Sequence, residues 1–284
     1  MPVTSTTIST RPSEPPPIFG DLKLITTITN PQHKIFVLNK HTELLSDIYL
    51  RHGSFEGHLQ QLMKKALEKS QNREVTFFDI GANIGIHALY MAALNYNVVA
   101  VEADTDTFSM LSQSIAANGF FDRMQAINAA ITSSRGNVEM LRNANNIGNT
   151  RIVSNEQAGT APPGLRKTVR GIKLNDLVPF LPHNDIVLKI DIEGHECHVI
   201  NAEQAQLLFT SKNITCISME FTPKDMKADE ACVAKMVDFF TQNKYVAYYV
   251  NGDRGKKVTS TNMYHEVNHD ILWLPSSANA AEYF

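Results

Sequence analysis

From near residue 75 onward, the chain alternates regularly between short apolar runs and helical patterns. Three β-favouring runs cover 75–80, 97–101 and 124–131, and helical patterns at 84–95 and 105–118 separate them. Strands joined by helices at this spacing predict parallel strands with right-handed crossovers and helices on both faces of the sheet. The sequence therefore predicts an α/β fold.

The alternation continues to the end of the chain. Further elements are expected as strands at 185–190 and 214–221, helices at 196–209 and 229–242, and final strands at 245–250 and 269–274. No helical pattern separates the last two strands, so they are expected to form an antiparallel hairpin. The predicted fold is a doubly wound, mostly parallel seven-stranded sheet that ends in this hairpin. Such an ending favours a Rossmann-like methyltransferase sheet over a dehydrogenase sheet.

The chain divides by composition into a tail, an extension and a main domain. Residues 1–17 contain five prolines and seven Ser/Thr, so they are predicted to be disordered. An N-terminal extension over 18–70 is expected to form a hairpin around Asn30-Pro31 and a helix within 55–69. The main domain covers 71–284, with an irregular insertion at about 136–184 that contains one strand at 167–172.

Charge and cysteine content exclude several classes of partner. The chain has 26 Lys+Arg against 29 Asp+Glu, and its basic residues form no long run, which disfavours binding to nucleic acid or to a membrane surface. No apolar run is long enough to span a bilayer. The three cysteines are too few and too widely spaced for a disulfide framework. They predict free thiols in a reducing compartment, the cytoplasm.

A glycine-containing turn follows the first strand of the alternation, where the sequence reads FFDIGANIG from residue 77. Gly81 and Gly85 allow a sharp turn and a close approach to a ligand, but they lack the GxGxxG spacing of dinucleotide sites. The glycines alone are consistent with a plain tight turn or with a ligand loop. Glu102 favours the ligand loop, because an acid at the end of the next strand can accept both ribose hydroxyls of a nucleoside-containing cofactor.

The strand at 185–190 carries the densest group of charged residues. Lys189 lies inside an otherwise apolar strand, and Asp191, Glu193 and His195 follow it, while Glu220 ends the neighbouring strand. These residues are predicted to meet at the carboxyl edge of the sheet, where α/β folds bind ligands. An ion-paired cap that only holds two strand ends together is the alternative for Lys189 and Glu220.

Five motifs together resemble the FkbM-type S-adenosylmethionine-dependent methyltransferases: FFDIGANIG at 77–85, VAVEAD at 99–104, INAAI at 127–131, DIVLKIDIEGHE at 185–196 and ISMEF at 217–221. The segment SFEGHL at 54–59 also resembles a stretch of this family. The family more often has EPNP where this chain has Glu102-Ala103-Asp104. The resemblance covers about 44–240.

The resemblance implies an enzyme that moves a methyl group from S-adenosylmethionine to a hydroxyl of a small-molecule or sugar-like acceptor. It implies a donor site made of Asp79, Gly81, Ala82, Asn83, Gly85, Glu102, Ala103, Asn128 and Asp191. The candidates for the acceptor's base are Asp191, Glu193 and His195, and the rim of the acceptor site is expected at Glu56, Lys189 and Glu220.

Three alternatives remain open on the sequence. In the first, Mg²⁺ is held through oxygen ligands by Asp191, Glu193 and Glu220, although the preferred hypothesis has no metal. A nicotinamide-dependent oxidoreductase would share Glu102 but should need GxGxxG. A non-catalytic protein that binds S-adenosylmethionine would keep the donor site alone.

Overall fold

The computed structural model describes residues 21–39, 43–70, 73–143, 146–160, 162, 164–221, 230–258 and 269–284. The predicted tail at 1–17 lies outside the described residues.

The elements are numbered in chain order. The strands are β1 (Leu22–Thr26), β2 (Lys34–Leu38), β3 (Val75–Ile80), β4 (Asn97–Glu102), β5 (Met124–Asn128), β6 (Ala130–Ile131), β7 (Gly136–Asn143), β8 (Asn146–Val153), β9 (Arg166–Ile172), β10 (Asp185–Ile190), β11 (Asn213–Phe221), β12 (Tyr245–Tyr249) and β13 (His269–Pro275). The α-helices are α1 (Leu44–His52), α2 (Gly57–Glu68), α3 (Ala88–Ala93), α4 (Thr105–Asn118), α5 (Asn155–Gly159), α6 (Glu196–Val199), α7 (Ala202–Ser211) and α8 (Glu230–Gln242). Short 3₁₀ turns occur at Phe120–Asp122, Leu174–Phe180 and Ala280–Glu282.

The largest sheet has seven strands in the order β12-β13-β11-β10-β3-β4-β5. Strands β11, β10, β3, β4 and β5 run parallel to one another, whereas β13 pairs antiparallel with β11 and with β12. The predicted α/β fold with a mixed, mostly parallel seven-stranded sheet is confirmed.

Both faces of this sheet are covered, as the apolar strands require. Alternate residues of β3 point to opposite faces, so Phe77 and Phe78 belong to different core clusters and both are fully buried. The core around Phe78 includes residues of α7 and α8, and the core around Phe77 includes residues of α2, α3 and α4. A strand buried on both faces reads as a continuous apolar run, which explains why β3 and β10 could be located from the sequence.

A second sheet corrects the prediction of an irregular insertion at 136–184. Strands β6, β9, β7 and β8 form a four-stranded sheet in that order. The run at 124–131 is divided between the two sheets, since β5 ends at Asn128 and β6 begins at Ala130. The long strands β7 and β8 carry Asn, Gly and Arg residues at partly exposed positions, so their sequence lacks an apolar signal.

Two predicted helices are shorter than their patterns. The pattern at 84–95 yields only α3, which begins at Ala88. The left-handed backbone at Asn83 and Gly85 keeps the residues just before this helix in turns. The pattern at 196–209 is divided into α6 and α7 near Asn201, whose Oδ1 accepts hydrogen bonds from the backbone N–H groups of Glu203 and Gln204. This cap starts a new helix at Ala202.

The N-terminal segment packs on the main sheet through α4. Strands β1 and β2 form the hairpin, and β2 donates backbone N–H groups to two side chains of α4. Lys34 N lies 2.8 Å from Asn118 Oδ1, and Phe36 N lies 2.9 Å from Ser114 Oγ. These hydrogen bonds fix the extension against the core. Helix α2 contacts the turn that precedes α3, where Gln60 Nε2 donates a 3.1 Å hydrogen bond to the carbonyl of Ile86.

The cysteine prediction is wrong in one respect, because Cys197 and Cys232 form a disulfide. Their Cα atoms lie 5.5 Å apart although 35 positions separate them in the chain. Parallel pairing of β10 with β11 brings α6 and α8 together, a proximity that cysteine spacing alone does not encode. Cys216 is a buried free thiol. Among the described residues, no helix has the length and apolar character needed to cross a membrane.

Candidate active site

A cleft opens at the carboxyl ends of β3, β4 and β10, where the predicted site residues were expected to meet. Six of them line it: Gly81, Asn83, Glu102, Ala103, Asp191 and Glu193. The second sheet supplies the opposite wall through Met140, Ile147, Gly148, Thr150 and Ile152. The cleft therefore lies between the main sheet and the hairpin of β7 and β8, which we call the roof hairpin.

Gly81 is required by the close approach of two strand ends. Its φ is +83°, and a Cβ built there would lie 1.7 Å from the carbonyl oxygen of Asp191. Asp191 N in turn donates a 3.0 Å hydrogen bond to the carbonyl of Ile80. A side chain at position 81 would separate β3 from β10, so only glycine permits this floor.

Glu102 ends β4 with its carboxylate turned into the glycine turn. Its Oε2 accepts a 2.7 Å hydrogen bond from Asn83 N, and its Oε1 accepts bonds of 2.8 Å from Asp104 N and Thr107 Oγ1. Burial and the neighbouring charge of Asp104 raise the pKa of Glu102 to about 7. Glu102 thus holds the turn in place. Oε1 already accepts two hydrogen bonds, whereas Oε2 accepts one and retains acceptor capacity.

The other residues assigned to the donor take supporting positions. Asn128 Nδ2 donates to the carbonyls of Glu102 and Ala103, at 2.9 and 3.1 Å, so this side chain fixes the backbone beside the cleft. Ala82 is buried, and its N–H donates to the carbonyl of Val101. Gly85 has a φ of +97° and packs against Leu89 and Leu111 of neighbouring helices.

A buried charge cluster lies beneath the cleft and consists of Glu56, Asp79, His87, Lys189 and Asp191. We call it the Lys189 cluster. Lys189 stands directly opposite Asp79 in the pairing of β10 with β3, and its Nζ lies 3.0 Å from Asp191 Oδ2. Although burial alone would lower it, the pKa of Lys189 is raised by Asp191, Asp79 and Glu56. Lys189 is therefore charged and compensated, as a buried ammonium must be.

Asp79 is the most isolated member of the Lys189 cluster. It is fully buried, and neither carboxylate oxygen has a side-chain hydrogen-bond partner among the described residues. Burial raises the pKa of Asp79, while Lys189 and His87 act in the opposite direction.

Glu56 comes from the N-terminal extension and reaches the Lys189 cluster through His87. Its Oε2 lies 2.9 Å from Nε2 of His87. Burial would raise the pKa of Glu56, but the hydrogen bond and charge of His87 lower it overall. The predicted rim residue is therefore an ionised acid held in place from the start of α2.

Three carboxylates meet above the Lys189 cluster, and we call them the carboxylate triad: Asp191, Glu193 and Glu220. Ligand oxygens from all three lie within 4.8 Å of one another. Burial, together with the charges of Asp191, Glu193 and Glu196, raises the pKa of Glu220 to about 9. The three carboxylates are therefore close enough for one of them to disfavour ionisation of Glu220.

His195 lies apart from the carboxylate triad. Its ring is tilted against that of His198, with 4.7 Å between the ring centroids, and it is not part of the cleft lining. Burial and the neighbouring His198 lower the pKa of His195 to about 4. The imidazole is neutral at physiological pH and is a weaker base there than an unperturbed histidine.

Strained backbone marks the same site. Among the described residues, the non-glycine residues with positive φ include Glu56 at 49°, Asn83 at 54° and Glu193 at 55°. Such conformations cost about 1–3 kcal/mol for residues with a side chain and persist where surrounding contacts impose them. All three contribute to the cleft or to the Lys189 cluster, so the fold holds these side chains in fixed directions.

Sequence reasoning missed several residues of the site. Asp270 on β13 lies opposite Glu220, and burial with the charges of Glu56 and Asp191 raises its pKa to about 6. Asp104 and Asp106 pair with Arg142 of the roof hairpin, where all three side chains are buried. Asp104 carried a signal, because it lies two residues after Glu102 in the VEAD motif. Arg142 carried none, since its strand had no recognisable pattern.

Comparison with known proteins gives relatives that act in methyl transfer. The chain is 29% identical over 168 residues to the hexuronic acid methyltransferase AglP of Haloferax volcanii, a match that covers 59% of this chain and 65% of that protein. The chain thus spans just under two thirds of the length of this curated relative.

Solved methyltransferase structures also align with this fold. Precorrin-6y C5,15-methyltransferase of Geobacter metallireducens aligns with a TM-score of 0.37 and 12% identity, over 76% of this chain and 88% of that one. The O-methyltransferase of Bacillus cereus, crystallised in complex with SAH, aligns with a TM-score of 0.37 and 10% identity, over 77% and 79%.

The FkbM methyltransferase domain matches residues 79–247, which begin in β3 and end in β12. The matched span includes the glycine turn, Glu102 and the whole carboxylate triad. More than half of the chain is covered, and the chain belongs to the FkbM methyltransferase family.

Proposed function

We propose that this protein is an S-adenosylmethionine-dependent O-methyltransferase with a small-molecule or sugar-like acceptor. One observation carries the proposal: the glycine turn, the acid at the end of β4 and the carboxylates after β10 line a single cleft. We further propose that the seven-stranded sheet is the Rossmann-like methyltransferase sheet with its closing antiparallel hairpin.

The residues present fit the donor. S-adenosylmethionine, when bound, supplies an electrophilic methyl group on a sulfonium sulfur. Glu102 offers carboxylate oxygens to ribose hydroxyls, and the turn at Gly81 allows close backbone approach to the methionine end. Asp79 is fully buried and does not line the cleft, so we propose that it supports the floor beside Lys189 and does not contact the donor directly. Asn128 keeps the adenine side of the cleft rigid.

The acceptor half of the cleft can position a hydroxyl and accept its proton. Asp191 and Glu193 line the cleft, and Lys189 Nζ lies 3.0 Å from Asp191 Oδ2 and orients this carboxylate. Holding two reactants in a productive orientation is worth about 7–11 kcal/mol in favourable cases, and a positioned base adds about 10²- to 10⁴-fold. We propose Asp191 or Glu193 as the base, and we rank His195 below them.

A divalent cation is the second route by which the hydroxyl could lose its proton. The oxygens of the carboxylate triad are close enough together to bind one hard cation. The preferred hypothesis, a side-chain base, needs no metal. Removal of divalent cations with EDTA distinguishes it from the metal-assisted route.

The sugar-like acceptor draws support from AglP, whose name specifies hexuronic acid. Neither a nucleic acid nor a membrane is proposed as a partner. Cytoplasmic location stays part of the proposal, and a reducing cytoplasm would act on the Cys197–Cys232 disulfide.

The test is methyl transfer from isotopically labelled S-adenosylmethionine to a panel of neutral sugars, hexuronic acids and glycosides. The expected product carries the label on an oxygen, and its position is read by mass spectrometry and NMR. Donor binding without transfer to any acceptor would favour a non-catalytic binding protein. Stabilisation by NAD(H), but not by S-adenosylhomocysteine, would favour an oxidoreductase.

The base is identified by single-turnover transfer at saturating donor. Asp191→Asn, Glu193→Gln and His195→Gln retain size while removing the basic group. Loss of about 10²- to 10⁴-fold in rate is expected for the residue that takes the proton, with donor affinity retained. If all three variants stay within a few-fold of the parent, none of these residues is the base.

A further inference from the structure

We propose that the Cys197–Cys232 disulfide is a site of reversible exchange with low-molecular-weight thiols, and that its state controls the carboxylate triad. The site lies outside the cleft, on α6 and α8. Its control of the triad rests on the proposed function, whereas the exchange itself does not.

The two sulfurs differ in access. Cys197 is 1% exposed, whereas Cys232 is half-buried and its neighbour Ala231 is exposed. His198 is also exposed, and its Nδ1 lies 3.6 Å from Cys232 Sγ. A small thiol can therefore reach Cys232 from solvent, on the side where an imidazole already contacts the sulfur.

The exchange takes two balanced steps. The thiolate of the small thiol attacks Cys232 Sγ, the bond between the two cysteines breaks, and its electron pair passes to Cys197 Sγ, which takes a proton from water. A second small thiol then attacks the small-molecule sulfur of the mixed disulfide and releases Cys232 as a thiolate. His198 Nδ1 can donate a hydrogen bond to this thiolate. Overall, two small thiols are oxidised to one disulfide and the protein disulfide is reduced to two thiols. The hydrogen bond from His198 speeds the second step, because a better-stabilised thiolate is a better leaving group.

The disulfide is connected to the cleft by short, buried links. Cys197 follows Glu196, whose Oε1 accepts a 2.8 Å hydrogen bond from Ile192 N. Glu196 is 1% exposed, so this bond fixes the turn that carries Asp191 and Glu193. Cys232 lies in α8, the helix that follows β11 and therefore Glu220 in the chain.

The cross-link thus joins the two chain segments that present the carboxylate triad. Asp191 and Glu193 come from the segment that precedes α6, and Glu220 comes from the strand that precedes α8. Opening the bond leaves α6 and α8 joined only by their apolar packing, which loosens the relative placement of these carboxylates. The donor half of the cleft is built on β3 and β4, so it should be unaffected.

The exchange is tested on the full chain without any activity measurement. The oxidised protein, alkylated after unfolding without reductant, should carry one label, on Cys216, and incubation of the native protein with glutathione should raise the number to three. His198→Gln should slow this reduction by about threefold to tenfold. His52→Gln, at an exposed histidine of α1, is the matched control and should leave the rate unchanged.

The coupling is tested by hydrogen exchange and by kinetics. Reduction, or Cys232→Ser, should speed amide exchange at 191–196 and leave 97–102 unchanged. If the proposed function holds, the same treatments should change kcat/KM for the acceptor by about threefold or more, because small misplacements are costly, with donor affinity unchanged.

Several results would overturn the proposal. Three labelled cysteines before any reduction, with bound zinc, would show a thiolate metal site in place of the disulfide. Resistance of the folded protein to glutathione would show a purely structural bond. Unchanged amide exchange at 191–196 would remove the coupling even if no methyl transfer were found, so failure of the proposed function is recognised separately.

Discussion

The ion pairs of the buried Arg142 side chain are expected to contribute strongly to stability, and the replacement Arg142→Met tests this. Its guanidinium pairs with Asp104, and its Nη1 lies 2.6 Å from Asp106 Oδ2. The side chains of these three residues are only 1–4% exposed. Methionine would leave two buried acids next to each other, with Lys167 Nζ at 3.9 Å from Asp106 as the remaining cation of the group.

Removing one partner of a buried ion pair costs about 3–5 kcal/mol, so the free energy of unfolding of Arg142→Met should fall by about this amount. Urea denaturation followed by circular dichroism measures it. The matched control is Arg166→Met on the same sheet. Arg166 pairs with Glu139, but its side chain is 48% exposed, so the expected loss is about 0–1 kcal/mol. Equal losses in the two variants would show that burial of the Arg142 ion pairs does not set their contribution to stability.

Two further predictions concern the donor half of the cleft. Gly81→Ala should destabilise the protein by at least about 1–3 kcal/mol from backbone strain alone, whereas Gly57→Ala, where a Cβ meets nothing within 4 Å, should be neutral in the same urea titration. Glu102 has a pKa of about 7 in the fold against an ordinary value of 4.5, so the folded protein binds an extra proton between these values. Its contribution to stability is therefore lost as pH rises from 4.5 to 7, and Glu102→Gln should remove that part of the pH dependence of unfolding; an unchanged profile would contradict the burial of the acid.

The sequence located the strands that are buried on both faces because their apolar runs are continuous. β3, β10 and α4 have the predicted bounds, and α4 ends at Gly119, which has the left-handed conformation of a helix cap. The second sheet was missed for the converse reason. Its strands are short of apolar residues and partly exposed, so they produce no period-two signal.

The site was predictable where chemistry and position coincide. An acid at a strand end and a lysine inside an apolar strand are unusual in sequence, so Glu102, Asp191 and Lys189 could be named in advance. The roof hairpin, Asp270 and the disulfide depend on contacts between segments that are distant in the chain. Local patterns contain no information about such contacts without a fold to place them.

We propose that the cleft binds S-adenosylmethionine through Glu102, and calorimetric titration with S-adenosylhomocysteine tests this binding. The parent protein should bind one equivalent and give no heat with NAD(H). Glu102→Ala, if folded by circular dichroism, should lose one or two charge-assisted hydrogen bonds of about 1.5–3 kcal/mol each, which weakens binding by at least about tenfold. Absence of binding by the parent protein, or equal affinity in folded Glu102→Ala, would contradict the account.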